Sequence, residues 1–269
     1  MTHINLNKLE ALRPAVRQSF LGAKPYPHVV IDDFLKPESY ESVLASLPSA
    51  RESERSSDYV FARNKFENPI FDQSAAVLAE LRAELVGDAF MGFLRELYDK
   101  PVFVDPAFVG GGLHQGGEGS FLDMHADFSR HPVAREWVRE LNILLYLNPG
   151  FEEAWGGHLE MENAQDGGIG RVAPRGNRMV IMLTKEHTLH GYKPIAFPPG
   201  RMRTSIAAYA YTVDHDFVAN PERSTLWRPR GASIAKRLIA KITPGLVRAK
   251  RYLFGSSTAR RATRKDHTD

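Results

Sequence analysis

The sequence predicts a mainly β-strand fold, a sandwich or jelly roll, preceded by helices. From about Pro101 to Tyr211 it consists of short strand-like runs separated by Gly and Pro turns, at intervals of roughly 8–20 residues. Such spacing is typical of stacked antiparallel sheets and differs from the strand–helix alternation of a parallel sheet. Most helical patterns precede this region. We therefore expect them to form a layer that supports one sheet.

The predicted helices lie mainly in the first hundred residues. Residues 4–21 show near-helical spacing that Pro14 interrupts, so we expect a broken helix. Residues 37–47 begin with a proline, which suits the first turn of a helix. Residues 73–98 have helical periodicity, divided near Gly87-Asp88.

The predicted strands are short and rich in β-branched and aromatic residues. They are residues 29–31, 102–104, 107–109, 140–147, 157–161, 178–183 and 203–211.

Composition limits the chemistry of the chain. With 269 residues, of which 43% are hydrophobic, it can bury one sizeable core or two small ones. The absence of Cys excludes disulfides, thiolate catalysis and Cys-ligated zinc. A metal would need His, Asp or Glu ligands, which suit Fe(II) or Mn(II). The sequence contains no run of eighteen apolar residues and no signal-peptide pattern at its N-terminus, so we expect a soluble, cytoplasmic protein.

Basic residues are concentrated at the C-terminus. Residues 220–269 contain 13 Lys or Arg and 3 Asp or Glu, so they carry +10, while residues 1–219 carry −7 of the net +3. Residues 232–242 can form an amphipathic helix that Pro244-Gly245 ends, and residues 256–269 have a disordered composition. Such a tail could bind an acidic partner, an anionic membrane surface or RNA, or it could pack on the acidic body or stay solvated.

The most informative short motif is His125-Ala126-Asp127. Side chains alternate between the faces of a strand, so this imidazole and this carboxylate would point the same way. Two His and one carboxylate around a divalent ion form the facial arrangement of non-haem Fe(II) oxygenases, which leaves three positions open. A solvated or helix-capping pair is the ordinary alternative. A metal site therefore requires a third ligand.

Thr188-Leu189-His190-Gly191-Tyr192 supplies a candidate third ligand, His190. His187 is the rival, but on a strand it would face away from His190, and no glycine follows it. The metal interpretation therefore favours His190.

A candidate anion site follows at Arg203-Thr204-Ser205, where Arg203 and Ser205 share one face of the last predicted strand. A guanidinium matches a carboxylate with its planar fork of donors, and the hydroxyl can add one hydrogen bond. This pair could hold the distal carboxylate of a dicarboxylic co-substrate. Arg201 is the rival anchor, although the pattern Arg-x-Ser followed by a strand favours Arg203.

Five motifs occur in a characteristic order: Gly119–Phe128, Leu141–Asn148, Trp155–Glu160, His190-Gly191 and Arg203–Ile206. Together they resemble the 2-oxoglutarate and Fe(II)-dependent dioxygenases, most closely the prolyl-4-hydroxylase-like branch that includes the ribosomal-protein prolyl hydroxylases. The resemblance covers about residues 105–213, with a weaker match at residues 27–35. It implies a double-stranded β-helix, or jelly-roll, core supported by N-terminal helices. It also implies the use of Fe(II), 2-oxoglutarate and O2. Family members often use ascorbate to rescue oxidised iron, and the sequence leaves this requirement open.

The resemblance assigns roles to individual residues. It implies that His125, Asp127 and His190 bind iron and that Arg203 binds the distal carboxylate of 2-oxoglutarate. Tyr146 is similar to the family tyrosine whose hydroxyl joins the arginine at that carboxylate, with an ordinary core aromatic as the alternative.

Three further residues are candidates for the same pocket. Ser205 could assist at the carboxylate, Asn142 could line the pocket from the face of Tyr146, and His114 could lie at the cavity wall. Asn142 and His114 could equally be structural residues.

The implied reaction is hydroxylation of an unactivated C–H bond, with release of succinate and CO2. The preferred substrate is a prolyl residue of a protein or peptide. The alternatives are a small molecule, such as a free amino acid, a sugar or a lipid-linked intermediate, and a non-catalytic, metal-holding cupin-like binding module. Asp127 favours hydroxylation, because related halogenases need a halide site where this carboxylate lies.

These inferences divide the chain into three regions. Residues 1–100 form a helical support within the same domain, residues 101–219 the jelly-roll catalytic core, and residues 220–269 a basic extension, partly helical or disordered. The oligomeric state stays open.

Overall fold

The structure, a computed structural model, describes residues 2–50 and 60–254, with side chains described as far as residue 246. The predicted disorder of residues 256–269 concerns a segment outside the described residues. The described helices are α1 Leu6–Gly22, α2 Pro37–Ala45, α3 Ala76–Leu85, α4 Asp88–Tyr98 and α5 Ile234–Phe254. The strands are β1 His28–Ile31, β2 Ala62–Asn68, β3 Phe103–Val104, β4 Gly112–Ala126, β5 Trp137–Tyr146, β6 Leu159–Asn163, β7 Ile169–Val172, β8 Arg178–Leu183, β9 Thr188–Tyr192, β10 Arg203–Val213 and β11 Leu226–Trp227.

Antiparallel pairing links these strands into one curled sheet in the order β1-β8-β5-β10-β4-β9-β6-β7. Strands β2 and β11 also pair with β4, and β3 pairs with β10. The 15-residue strand β4 joins two parts of this sheet, β1-β8-β5-β10 and β9-β6-β7. Its first part pairs with β10 and its last part pairs with β9. This is the predicted fold class, a jelly roll with flanking helices, which is confirmed.

The two faces of β5 separate the hydrophobic core from the functional cavity. Leu141, Ile143 and Leu145 are buried in a cluster that also contains apolar residues of α1 to α4. Because side chains alternate along a strand, Asn142 and Tyr146 point to the opposite side, which we call the concave face. The helices therefore support the sheet from behind and leave the concave face available for a site.

Two helical predictions are confirmed: α2 begins at Pro37, and a break at residues 86–87 separates α3 from α4. The predicted break at Pro14 is wrong, since α1 continues through that residue. Proline removes one helical hydrogen bond. Burial of Leu9, Val16 and Phe20 along one face of α1 compensates for that loss.

Two other predictions are also wrong. Residues 107–109 form a turn, because the Asp105 carboxylate accepts hydrogen bonds from the amides of Ala107 and Val109. In the tail, α5 does not end at Pro244 but continues to residue 254. Strand β2 was not predicted, because its alternation carries polar side chains on both faces.

Among the described residues, no helix is both long enough and apolar enough to span a membrane.

Two neighbouring residues of α1 test the helical support. Phe20 is fully buried against the ring of Tyr98, with 6.1 Å between ring centroids, whereas Leu21 is 53% exposed. We expect Phe20→Ala to lower the free energy of unfolding by about 3–5 kcal/mol, because it leaves a cavity. Leu21→Ala, the matched control, should change it by less than about 0.5 kcal/mol. Chemical denaturation measures both; equal effects would contradict the assigned packing.

Candidate metal and anion site

Pairing between β4 and β9 places two histidines side by side. His125 lies directly opposite His190, and their ring centroids are 4.3 Å apart. Gly191 allows the strands to approach this closely, because a Cβ atom there would lie 2.5 Å from the carbonyl oxygen of Leu122. The glycine that follows the histidine in the sequence is therefore a steric requirement of this pairing.

Asp127, just beyond the end of β4, completes the cluster. Its Oδ1 lies 3.6 Å from Nε2 of His125, and its Oδ2 lies 3.3 Å from Nε2 of His190. Potential ligand atoms of the three residues all lie within 4.8 Å of one another. His125 also makes a 2.8 Å hydrogen bond through Nδ1 to the carbonyl oxygen of Asp123, which leaves Nε2 as the ligand atom. This donor set fits a divalent ion such as Fe(II).

His187, the alternative third ligand in the sequence, lies before the start of β9 and outside this cluster. Its backbone carbonyl accepts a hydrogen bond from Ala164. The structure thus places His190, and not His187, beside the His125–Asp127 pair.

Arg139 is the main residue of the site that sequence reasoning missed. Its Nη2 lies 3.1 Å from Oδ2 of Asp127, and the same carboxylate oxygen accepts a 2.8 Å hydrogen bond from Asn142. Arg139 also donates to Oδ1 of Asn142 through Nε and Nη2, at 2.9 and 2.7 Å. The guanidinium lies over the ring of Tyr209, 3.4 Å from its centroid. Arg139 and Asn142 therefore hold the Asp127 carboxylate from one side.

A β-bulge explains why the contact between Arg139 and Asp127 was not predicted from the sequence. Leu141 pairs with Ala210 and Arg139 with Tyr211, so Glu140 is an extra residue in the ladder. Strict alternation would turn Arg139 and Asn142 to opposite faces, because they are three residues apart. The available signal was the group of polar residues Arg139, Glu140 and Asn142 in a strand whose other residues are apolar or aromatic.

The electrostatics of the cluster favour an ionised carboxylate beside a neutral imidazole. Burial acts to raise the pKa of Asp127, but the charge of Arg139 and the contacts with the two histidines outweigh it and hold that pKa well below its ordinary value. Burial, reinforced by His125, lowers the pKa of His190. These are the protonation states that a metal site requires.

A second cluster on the concave face surrounds Arg203. Its Nε donates a 2.7 Å hydrogen bond to the carbonyl oxygen of Gly157, and its Nη2 donates a 3.2 Å bond to the Tyr146 hydroxyl. The ring of Tyr192, missed in the sequence, lies 4.2 Å from the guanidinium carbon. A Cβ atom at Gly157 would lie 3.0 Å from Arg203, so the glycine motif makes room for this side chain. The cluster offers a buried, oriented cation to an anionic ligand.

Ser205 and His114 lie in register with the arginine cluster. Ser205 is directly opposite Tyr146 on β5 and His114 on β4, so all three face the same side. Burial lowers the pKa of His114 to about 3, with a further contribution from Lys65. Its Nε2 is buried without a hydrogen-bond partner among the described residues. An unsatisfied buried nitrogen on this face fits a cavity that receives a polar ligand.

The rival anchor Arg201 lies elsewhere. It donates to the carbonyl oxygen of Pro149 and lies over the ring of Trp155, 5.1 Å from its centroid. The structure therefore brings Arg203, and not Arg201, to Tyr146. Trp227, also missed in the sequence, stacks on His125 with 4.8 Å between ring centroids.

Comparison with known families agrees with this geometry. Residues 111–211 match the profile of the 2OG-Fe(II) oxygenase superfamily. That range contains the His125, Asp127 and His190 cluster as well as Arg203 and Tyr146. No curated protein sequence matches the chain significantly.

Solved structures share the fold at low sequence identity. One is a prolyl hydroxylase from Trichoplax adhaerens in complex with a hypoxia inducible factor peptide, with TM-score 0.53 and 16% identity, covering 80% of this chain and 95% of that one. Another is a prolyl 4-hydroxylase from Phytophthora capsici, with TM-score 0.54 and 17% identity, covering 93% of this chain and 78% of that one. At identities of 16% and 17%, this similarity shows a shared fold and nothing more.

Gly191 tests the β4–β9 contact. Gly191→Ala should lower the free energy of unfolding by about 1–3 kcal/mol, because the new methyl group overlaps the backbone of β4. It should also weaken Co(II) binding, since the two histidines are forced apart. Gly92→Ala in α4, where a Cβ atom would meet nothing within 4 Å, is the control. We expect the free energy of unfolding of that control to rise by about 0.5–1 kcal/mol and its Co(II) binding to be normal. Equal changes in the two variants would contradict the steric account.

Proposed function

We propose that the chain, as a member of the 2OG-Fe(II) oxygenase superfamily, hydroxylates a prolyl residue of a protein or peptide. Enzymes of this superfamily use Fe(II), 2-oxoglutarate and O2. The observation that carries the proposal is the His125, Asp127 and His190 cluster, beside the Arg203–Tyr146 pair on one concave face. We assign this catalytic core to residues 101–219.

In this proposal, His125, Asp127 and His190 hold Fe(II). Their donor atoms and short separations support this assignment. When bound, the iron supplies oxidative decarboxylation of 2-oxoglutarate by O2, which inserts one oxygen atom into a substrate C–H bond and leaves the other in succinate. The protein provides the ligand set and a water-poor cavity for this chemistry.

Arg203 orients 2-oxoglutarate by binding its distal carboxylate. The hydrogen bond from Arg203 to Gly157 fixes the guanidinium, and the Tyr146 hydroxyl lies beside it as a second donor. Ser205, opposite Tyr146, is placed to assist. A fixed cation of this kind selects a dicarboxylate and sets its direction relative to the metal ligands.

Arg139 and Asn142 act as positioning residues for Asp127. They hold one carboxylate oxygen with two donors, which limits rotation of the side chain. Groups that hydrogen-bond a metal ligand orient it and tune its basicity. We therefore place Asn142 with the metal ligand and not with the co-substrate carboxylate.

The prolyl assignment rests on the motif resemblance. A polar small molecule is the second candidate, supported by two charged residues of β2. Lys65 and Glu67 pair in register with Gly116 and His114, so they lie on the same face as Arg203 and Ser205. Their side chains are 15% and 29% exposed. A charged pair at this position suits the polar groups of a free amino acid or a sugar.

Product analysis tests the proposed function. The enzyme is incubated with Fe(II), 2-oxoglutarate and O2, together with either proline-containing peptides or free amino acids and sugars. We expect succinate in equal amount to a peptide that gains one oxygen atom, and no gain in the matching peptide with Pro replaced by Ala. Oxygen gain in a small molecule only would move the assignment to the second candidate, and the absence of succinate with every substrate would overturn hydroxylation.

The two arginines near the start of β10 provide a matched test of co-substrate binding. Arg203→Ala should raise the KM for 2-oxoglutarate on the order of 10–100-fold, because a charged hydrogen-bonding group is lost. Arg201→Ala should leave this KM within about twofold, since Arg201 contacts Pro149 and Trp155 instead. Succinate formation at varied 2-oxoglutarate gives both values, and an unchanged KM in Arg203→Ala would contradict the anchor role.

Arg139→Met tests the positioning role. We expect Fe(II) affinity or activity to fall about 10–100-fold in the folded variant, because Asp127 loses one of its two donors. Arg82→Met breaks an ion pair with Asp72 in the helical layer and serves as the control. It should lower thermal stability without changing metal affinity. If both variants lost only stability, Arg139 would be a structural residue and not a positioning one.

A further inference from the structure

The outer side of α5 carries a continuous apolar ridge, formed by Ile234, Leu238, Ile239, Ile242 and Leu246. Positions 234, 238, 242 and 246 are spaced by four residues and position 239 precedes 242 by three, so all five lie on one helix face. Their side chains are all exposed, Ile234 to 78% and Leu246 to 63%. Exposed apolar residues clustered on one face mark an interaction surface.

The opposite side of α5 rests on the protein. Ala240 is 5% exposed, and Nζ of Lys236 lies 2.6 Å from Oδ2 of Asp123. The same ammonium lies 5.1 Å from the ring centroid of Phe121. These contacts hold α5 against β4 and turn the ridge outward.

The charge around the ridge has one sign. Arg237 and Lys241 are exposed on α5, and the sequence contains no Asp or Glu between Glu222 and Asp266. An apolar helix face bordered by cations is the arrangement that lies in the interface of an anionic bilayer, with apolar side chains in the acyl region and cations among the headgroups.

We propose that α5 docks the protein on an anionic lipid surface through this ridge. RNA would use the cations but not an aliphatic ridge, because single-stranded RNA binding relies on aromatic stacking. A second copy of α5 packed ridge to ridge would bring cations of like sign together. An anionic lipid surface can contact both the apolar ridge and the cations that border it.

Vesicle sedimentation of the full-length protein tests this proposal. We expect binding to phosphatidylcholine vesicles that contain phosphatidylglycerol, little binding to pure phosphatidylcholine, and weaker binding at raised salt. Leu238→Asp should lower the partition coefficient by about tenfold or more, since one apolar side chain is lost from the contact. Lys241→Glu should weaken binding to the anionic vesicles. The assay needs neither iron nor 2-oxoglutarate, so its outcome is independent of the proposed function.

Matched controls lie on β7, where Ile169 is 71% exposed and Arg171 is also exposed. Ile169→Asp and Arg171→Glu make the same changes away from α5 and should bind vesicles normally. Failure of the wild type to bind anionic vesicles, or equal losses in the β7 variants, would overturn the proposal. Single-stranded RNA binding, or a dimer that Leu238→Asp dissociates, without vesicle binding would also overturn it and identify the other occupant.

Discussion

The close antiparallel pairing of β4 with β9 is the constraint on which the candidate site depends. It sets His125 against His190, and it is possible because Gly191 has no side chain. A register slip of one residue would turn His190 to the other face of the sheet, away from Asp127. The helical layer packs behind β5 and β10, and β11 pairs with the end of β4 that carries His125.

Buried charge is the second determinant of the site. Arg139 is 2% exposed, and a buried cation is costly unless it is paired. Asp127 pairs with it at 3.1 Å, while Asn142 satisfies part of its remaining hydrogen-bonding capacity. The carboxylate is thus needed twice, once to neutralise Arg139 and once, in our proposal, to hold iron. Arg203 is arranged differently, since its neighbours Tyr146 and Gly157 are uncharged and its charge is left for a ligand.

The sequence predicted the parts of this site that local patterns encode. His125 and Asp127 are two residues apart, and Arg203 and Ser205 alternate on one strand, so a short window contains each pair. The role of Arg139 could not be predicted, because it depends on the bulge at Glu140 and on a partner from another strand. Trp227 and Tyr192 also reach the site through long-range pairing. In the helices, the prolines at 14 and 244 misled the prediction, because tertiary packing or the remaining helical hydrogen bonds can outweigh one missing bond.

The most direct test of the central claim is anaerobic addition of Fe(II) and 2-oxoglutarate to the purified protein, followed by visible absorption. If His125, Asp127 and His190 hold the iron and Arg203 orients the co-substrate beside it, the wild type shows the weak charge-transfer band of the chelate. The band should disappear in His190→Ala and persist in His187→Ala, whose side chain lies outside the cluster. A folded wild-type protein that takes up iron without producing the band, or a band that survives in His190→Ala, would contradict the account.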